Sequence, residues 1–314
     1  MPIQGIVVLS IVIIFIQLEL GSCSETQGSC STDLGMDINS VVALHDGTQM
    51  PQIGLGVYKA PAGGETELAV YTALKNGYRH IDTAEIYRNE ADVGRGIKRF
   101  LDEGTVKRED LWITTKFFPQ KGMGNAKVKK AIRGSLEKLQ LSYVDLYLIH
   151  APTQKDRRLE QWQAIEELKD EGLARAIGVS NYGVHHLQEL LAVARHRPVV
   201  NQIELSPYNT RKELVQFCRD QQIYPEAYSP LTCAARLEDP KLVTMAGKYG
   251  VSAAQLLIRW SLQKGYISIP KSTKEERIIE NSSVFHFEIS PADMVTLDGF
   301  DEYFVSGWDP TVIP

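Results

Sequence analysis

The chain has 314 residues, 43% hydrophobic and 23% charged, with a formal net charge of −5. That length and balance suit an ordinary globular protein with ample chain for one large core or two smaller ones. The slightly negative charge excludes a global electrostatic signal for nucleic acid or an anionic membrane surface, and leaves room for a locally basic anion site.

The N-terminal stretch differs from the rest. Ile6 to Ile16 is almost wholly apolar and is followed by Gln17, Glu19 and the small residues Gly21, Ser22 and Cys23. The run has the length of a signal-peptide core and is short for a membrane span. Gly21 and Cys23 offer a cleavage site, whereas the lack of Lys and Arg ahead of the run argues against one. Residues 1–23 are therefore read as a signal peptide or an upstream extension, with a signal anchor as a further alternative. Met36, just ahead of Asp37-Ile38-Asn39-Ser40, favours an upstream extension. Residues 24–38 are small and polar and are expected to be a disordered linker, which leaves 39–314 as a single domain. Cys23, Cys30, Cys218 and Cys233 are too sparse and irregular for a disulfide scaffold or a metal site, so free thiols and no metal are expected.

From Val41 onward short apolar runs alternate with amphipathic stretches. Val41–Leu44 and Gln49–Ile53 flank His45-Asp46-Gly47, the signature of a hairpin turn. Strand candidates follow at Gly54–Val57, Arg79–Asp82, Leu111–Thr115, Val144–Ile149, Arg175–Val179, Val199–Gln202, Tyr224–Tyr228 and Tyr266–Ile269. The helix candidates between them are Glu65–Lys75, Ala91–Glu103, Ala126–Leu139, Leu159–Glu171, Val184–Ala194, Lys212–Gln221, Pro240–Gln263 with a break near Gly250, and Lys274–Asn281. Strands that each precede a helix argue for an α/β fold, a (β/α)8 TIM barrel with the hairpin across its bottom. The rival is a doubly wound sheet. Such a sheet usually carries Gly-x-Gly-x-x-Gly after its first strand, and here Gly54-Leu55-Gly56 opens no helix on a third glycine.

In a barrel the chemistry sits where the strands end. Asp82 ends the second strand, Lys116 the third and His150 the fourth. Ser180 and Asn181 follow the fifth, Gln202 ends the sixth, Tyr228 ends the seventh and Lys271 follows the eighth. Scattered surface charge would not place a polar group at nearly every strand end on one rim.

Five segments carry a resemblance. They are Gly77-Tyr78-Arg79-His80-Ile81-Asp82-Thr83-Ala84-Glu85-Ile86-Tyr87-Arg88-Asn89-Glu90, Ile113-Thr114-Thr115-Lys116, Leu148-Ile149-His150, Gly178-Val179-Ser180-Asn181 and Ile269-Pro270-Lys271-Ser272. In this order the chain resembles the aldo-keto reductase superfamily from about Val41 to its C-terminus. The resemblance implies reduction of an aldehyde or ketone to an alcohol with NADPH, the activity of an alcohol dehydrogenase (NADP+)-type enzyme. Tyr87, Lys116, Asp82 and His150 would form the catalytic group. Carbonyl reduction needs a proton donor within hydrogen-bond reach of the oxygen. A free tyrosine, with a pKa of about 10, is a poor donor, and a neighbouring ammonium lowers that value. Lys116 is expected to do so for Tyr87, with Asp82 holding Lys116 and His150 orienting the substrate oxygen. His80, alternating with Asp82 through Ile81, is assigned to structure.

By the same resemblance Ser180, Asn181 and Gln202 would hydrogen-bond the nicotinamide carboxamide, and Tyr228 would stack on its ring. Ser229 and Leu231 would approach the pyrophosphate. Lys271, Ser272, Thr273 and Arg277 would hold the adenosine 2′-phosphate, and Glu280 and Asn281 the adenine. Arg forks onto phosphate oxygens while Lys acts as a point charge, so NADPH is expected over NADH. Tyr58, Phe118, Ala151 and Trp308 are expected around the substrate. Tyr58 and Ala151 stand where relatives often carry tryptophan. The loop between Leu231 and Pro240 is too short for a belt over the cofactor. The sequon at Asn281-Ser282-Ser283 falls where adenine would bind, and that placement, with the need for NADPH, suggests a cytoplasmic enzyme, against the signal-like N-terminus. A monomer acting on a small carbonyl substrate is the expectation. The alternative is an NADPH-binding regulatory subunit with little turnover.

Overall fold

The structure, a computed structural model, describes Met1 and residues 35–314. The expected signal segment, apart from Met1, and the expected linker up to residue 34 lie outside the described residues. Met36 and Ile38 already pack against the core, so ordered contacts begin just ahead of residue 39.

The hairpin forms as the turn chemistry requires. β1 (Val41–Ala43) pairs antiparallel with β2 (Gln49–Pro51), Val42 opposite Met50. Gly47 takes φ 86°, a left-handed value that favours glycine. Val42, Leu44 and Met50 form one buried cluster with Trp112, Leu146, Leu148, Ala176, Val200 and Ile267. These partners lie toward the starts of the barrel strands, so the hairpin plugs that end.

Eight parallel strands follow in sequential order: β3 (Leu55–Gly56), β4 (His80–Asp82), β5 (Trp112–Phe117), β6 (Val144–Ile149), β7 (Ala174–Ser180), β8 (Val200–Glu204), β9 (Tyr224–Tyr228) and β10 (Ile267–Ser268). The outermost two meet. Gly54 N donates to Ser268 O at 2.9 Å, Ser268 N to Gln52 O at 2.9 Å and Gly56 N to Pro270 O at 3.1 Å. These bonds close the sheet into a barrel. Ten helices accompany the strands in the described residues: α1 (Glu65–Lys75), α2 (Glu90–Leu101), α3 (Asn125–Leu139), α4 (Arg158–Asp170), α5 (Val184–Leu191), α6 (Lys212–Asp220), α7 (Pro240–Tyr249), α8 (Ala253–Gln263), α9 (Glu275–Ser282) and α10 (Pro291–Asp298). The expected break near Gly250 separates α7 from α8. Gly250 adopts φ 67°, and Ser252 starts α8 with a reciprocal cap on Gln255. α10 lies beyond the expected elements, although Ser290 caps it by accepting from Asp293 N at 3.2 Å and Pro291 opens it.

The barrel interior changes character along its axis. Near the hairpin it is filled by aliphatic side chains. Toward the strand ends it holds His80, Asp82, Lys116 and Glu226, none more than 2% exposed. Charged groups are almost never buried to this degree unless paired, so this layer stands apart from the rest of the core.

Candidate active site

The loop after β4 brings Tyr87 over the barrel mouth. Glu85–Tyr87 form one 3-10 turn, and Arg88 follows with φ 60°. The buried Asn89 fixes that loop. Its Nδ2 donates to Val57 O at 2.9 Å and to Ala60 O at 3.1 Å, and its Oδ1 accepts from Thr83 Oγ1 at 3.0 Å. One amide thus ties the loop carrying Tyr87 to the loop carrying Tyr58, whose rings lie 4.9 Å apart.

Lys116, fully buried at the end of β5, reaches inward to three oxygens. Its Nζ lies 2.7 Å from Asp82 Oδ1, 2.9 Å from Thr83 O and 3.5 Å from Tyr87 Oη. Asp82 Oδ2 accepts from Gln202 Nε2 at 2.8 Å. Burial raises the Asp82 carboxyl above its ordinary range, against the pull of Lys116 and Gln202. Tyr87 departs from expectation. Burial first, and then the negative charge of Asp82, hold its phenol well above the ordinary value. Desolvation disfavours the phenolate more than the nearby ammonium favours it, so Tyr87 keeps its proton.

His150 follows β6, anchored by its N–H to Phe117 O at 3.0 Å. Its ring meets Tyr87 edge-on at 5.5 Å. Burial, with Lys116 adding to it, depresses its pKa well below the usual histidine value, so the imidazole is neutral. Nδ1 is buried without a partner. The four expected catalytic side chains therefore do converge: Asp82, Lys116 and Tyr87 in one hydrogen-bonded chain, with His150 against the tyrosine ring.

One layer deeper lies a pair that the sequence reading did not assign to the site. Glu226 on β9 is fully buried, and its Oε1 is 3.7 Å from His80 Nε2 on β4. The same His80 nitrogen is 3.2 Å from Thr114 Oγ1. Neither Glu226 oxygen has a hydrogen-bond partner. A Cβ at Gly54 would collide with His80 Nδ1, so that glycine exists to let the imidazole in. The available signal was a carboxylate inside an otherwise apolar strand candidate.

The expected cofactor residues run along four successive strand ends, on β7, β8, β9 and β10, and onto α9. Ser180 Oγ donates to Gln202 O at 2.8 Å, and Asn181 Nδ2 donates to His150 O at 2.9 Å. Tyr228 Oη donates to Asn181 Oδ1 at 2.9 Å. Gln202 Nε2 spends one N–H on Asp82, and the amide has a second. Ser229 and Leu231 follow β9 in the turn ending at Ala234. Lys271, Lys274 and Arg277 are exposed after β10 and along the start of α9, with Thr273 partly so and Ser272 buried, its Oγ accepting from Lys274 N at 3.1 Å. Glu280 and Asn281 close α9. Asn281 is only 3% exposed, which leaves no room for a glycan.

Aromatic rings surround the mouth. Phe118 lies 5.7 Å from His150 and 6.3 Å from Trp308, and Tyr58 and Trp308 are half-exposed, at 53% and 51%. Ala151, expected among the lining residues, is fully buried and offers no surface to a ligand. Trp308 is held by its neighbours. Ser306 N donates to Glu204 Oε1 at 2.9 Å, and Arg211 binds Asp309 at 3.1 Å and Thr311 Oγ1 at 2.9 Å. Farther along, Arg158 donates to Pro314 O, and His186 Nε2 lies 2.7 Å from Ile313 O. Cys218 is buried and Cys233 exposed, both free thiols. Among the described residues no cluster of His, Cys, Asp or Glu is arranged to hold a metal ion, and no helix is long and apolar enough to cross a membrane.

This arrangement has close parallels. A profile of the Aldo/keto reductase family matches residues 53–302. A protein named glyoxal reductase from Bacillus subtilis is 48% identical over 265 residues, covering 84% of this chain and 94% of its own. A 9,11-endoperoxide prostaglandin H2 reductase from Trypanosoma cruzi is 44% identical over 272 residues, covering 86% and 94%. Among solved structures, a Bombyx mori aldo-keto reductase in complex with NADP superposes with a TM-score of 0.80 at 36% identity, over 85% of this chain and 94% of that one. The chain belongs to the aldo/keto reductase family.

Proposed function

We propose that this protein reduces a small aldehyde or ketone to the alcohol, with NADPH as hydride source and Tyr87 as proton donor. The observation that carries the reading is the chain Asp82–Lys116–Tyr87, with bonds of 2.7 and 3.5 Å, beside a neutral His150.

Each residue has a distinct task. Asp82 neutralises Lys116, which would otherwise be a bare buried cation. Lys116 holds its charge beside Tyr87 Oη, where negative charge grows as the phenol gives up its proton. Tyr87 stays protonated until needed, because burial holds its pKa high. The alkoxide that develops on substrate is far more basic than a phenolate, so transfer still runs downhill. A neutral His150 donates a hydrogen bond to the carbonyl oxygen without competing as an acid, and so orients it. Tyr58, Phe118 and Trp308 enclose the remainder of a small substrate.

The strand ends from β7 to β10 fit a dinucleotide. Tyr228 presents a part-exposed ring, Asn181 and Gln202 present amides, and Lys271 and Arg277 are exposed cations free to meet a phosphate. Bound there, NADPH supplies the hydride to the carbonyl carbon. Lys271 and Arg277, with the hydroxyls of Ser272 and Thr273, favour the 2′-phosphorylated cofactor. The similarity to a glyoxal reductase supports small reactive aldehydes as a substrate class. The test is the loss of NADPH absorbance with a panel of small aldehydes, glyoxal included. Turnover supports the reading. Tight NADPH binding without turnover of any aldehyde would instead favour the regulatory alternative.

A further inference from the structure

We infer that Glu226 is a positioning residue that stores a proton beneath the catalytic group and so sets how readily Tyr87 gives up its own. The inference rests on the reductase reading above and concerns the deeper layer of that same site.

The charge count in the barrel compels it. The layer beneath the mouth holds two carboxyls, Asp82 and Glu226, and one ammonium, Lys116, while the buried Glu204 lies farther along β8 and accepts from Ser306 N at 2.9 Å. Asp82 uses one oxygen on Lys116 and the other on Gln202, at 2.7 and 2.8 Å. Neither Glu226 oxygen completes a hydrogen bond of normal geometry, although the Gln202 amide, in register on the adjoining strand, bears on the carboxyl. An ionised carboxylate so placed bears a desolvation cost larger than the pull of Gln202 and Lys116 offsets, and such a group takes up a proton instead. With Glu226 protonated the layer is neutral: one anion, one cation, one acid and one neutral imidazole.

The surroundings agree from every side. β4 presents His80 and Asp82, β5 presents Thr114 and Lys116, and β8 presents Gln202. On β10 the residue in register with Glu226 is Ile267, an aliphatic. Burial, followed by the charge of Asp82, pushes Glu226 up to about 8, with Gln202 and Lys116 opposing. Burial and then Lys116 press His80 down to about 3, so it does not take up the proton. The negative charge of an ionised Glu226 is itself one of the influences that raise Tyr87. Loss of the Glu226 proton therefore makes Tyr87 a weaker donor, although Glu226 touches neither substrate nor cofactor. No bond of the reaction is made to it, and its proton exchanges with solvent.

Infrared spectroscopy on the whole protein tests this, with carbon-13-labelled glutamate to identify the band. A protonated glutamic acid carbonyl stretch is expected at neutral pH, absent in Glu226→Gln and fading in the wild type near pH 8. Over the same pH range kcat for aldehyde reduction is expected to fall by about threefold to tenfold in the wild type, the effect of up to about one pKa unit on the donor. Glu226→Gln, permanently neutral, is expected to stay flat there. If Glu226→Gln misfolds, Glu226→Asp, which keeps a carboxyl but removes the labelled glutamate there, identifies the band as Glu226 rather than the buried Glu204. Absence of the band at neutral pH overturns the inference, as do superimposable pH profiles of the two proteins. If no aldehyde is turned over, the reductase reading falls, whereas the band still confirms or refutes the stored proton.

Discussion

Lys116 Nζ lies 2.7 Å from Asp82 Oδ1 and 3.5 Å from Tyr87 Oη, with the lysine fully buried. The ammonium is thus committed to the carboxylate and only leans on the phenol. Removing the carboxylate charge strands the cation. Asp82→Asn is expected to destabilise the fold by about 3–5 kcal/mol, the usual cost of an uncompensated buried charge. Urea denaturation measures it. A change under about 1 kcal/mol would mean that Lys116 finds another counter-charge or a route to water.

Asn89 holds two loops through three hydrogen bonds. Asn89→Ala leaves the Val57 and Ala60 carbonyls and the Thr83 hydroxyl without that partner, at about 1–3 kcal/mol. Because Tyr87 and Tyr58 ride on those loops, kcat is expected to drop about tenfold or more through misplacement. Steady-state kinetics beside a thermal melt separate the two effects. Lost stability with unchanged kcat would confine Asn89 to a structural part.

In the proposed reading Arg277 bears on cofactor choice. Arg277→Ala removes a charge-assisted contact worth about 1.5–3 kcal/mol. The KM for NADPH should then rise by about tenfold to a hundredfold while that for NADH stays constant. Equal changes for both cofactors would place Arg277 away from the 2′-phosphate.

Acid sensitivity follows from three histidines held below the ordinary value, His186, lowered by burial to about 4, among them. His80 and His150 both have folded pKa values depressed below the ordinary value of about 6.5, His80 to about 3. The unfolded chain therefore binds more protons than the folded one below that value. Stability is full above about pH 6.5 and falls as pH drops through and below it. Urea titrations over this range are expected to show the decline. His150→Gln should show a shallower one, and an identical slope would mean that His150 titrates normally.

The barrel itself was legible because its signals are local and repeated. β6 and β9 match their sequence ranges, as does α1, since apolar runs bounded by turn residues leave little choice. β3 and β10 are two residues each, shorter than expected, because pairing is cut off where they meet at the barrel seam. The helix α10 was missed: it packs few buried residues, and only its cap marks it. The side chains proposed as catalytic could be brought to one rim from strand ends alone, and Asp82, Lys116 and Tyr87 do meet there. What could not be read was which charge each group carries. Lys116 beside Tyr87 suggests a lowered phenol pKa, whereas burial from every side of the barrel, and then Asp82, push it the other way. Glu226 and its approach to His80, which the sequence assigns to structure, escaped for the same reason, since β4 and β9 face each other only once the sheet closes.

The most direct test compares NADPH consumption with a reactive aldehyde in the wild type and in Tyr87→Phe. Phe keeps the ring and its packing on Tyr58 and His150, so folding and NADPH binding should persist. Wild-type turnover with a fall of about 100-fold to 10,000-fold in kcat for Tyr87→Phe is the expected result, the usual range for losing a general acid. A variant that retains wild-type kcat would contradict the assignment of Tyr87 as proton donor and return the search to His150.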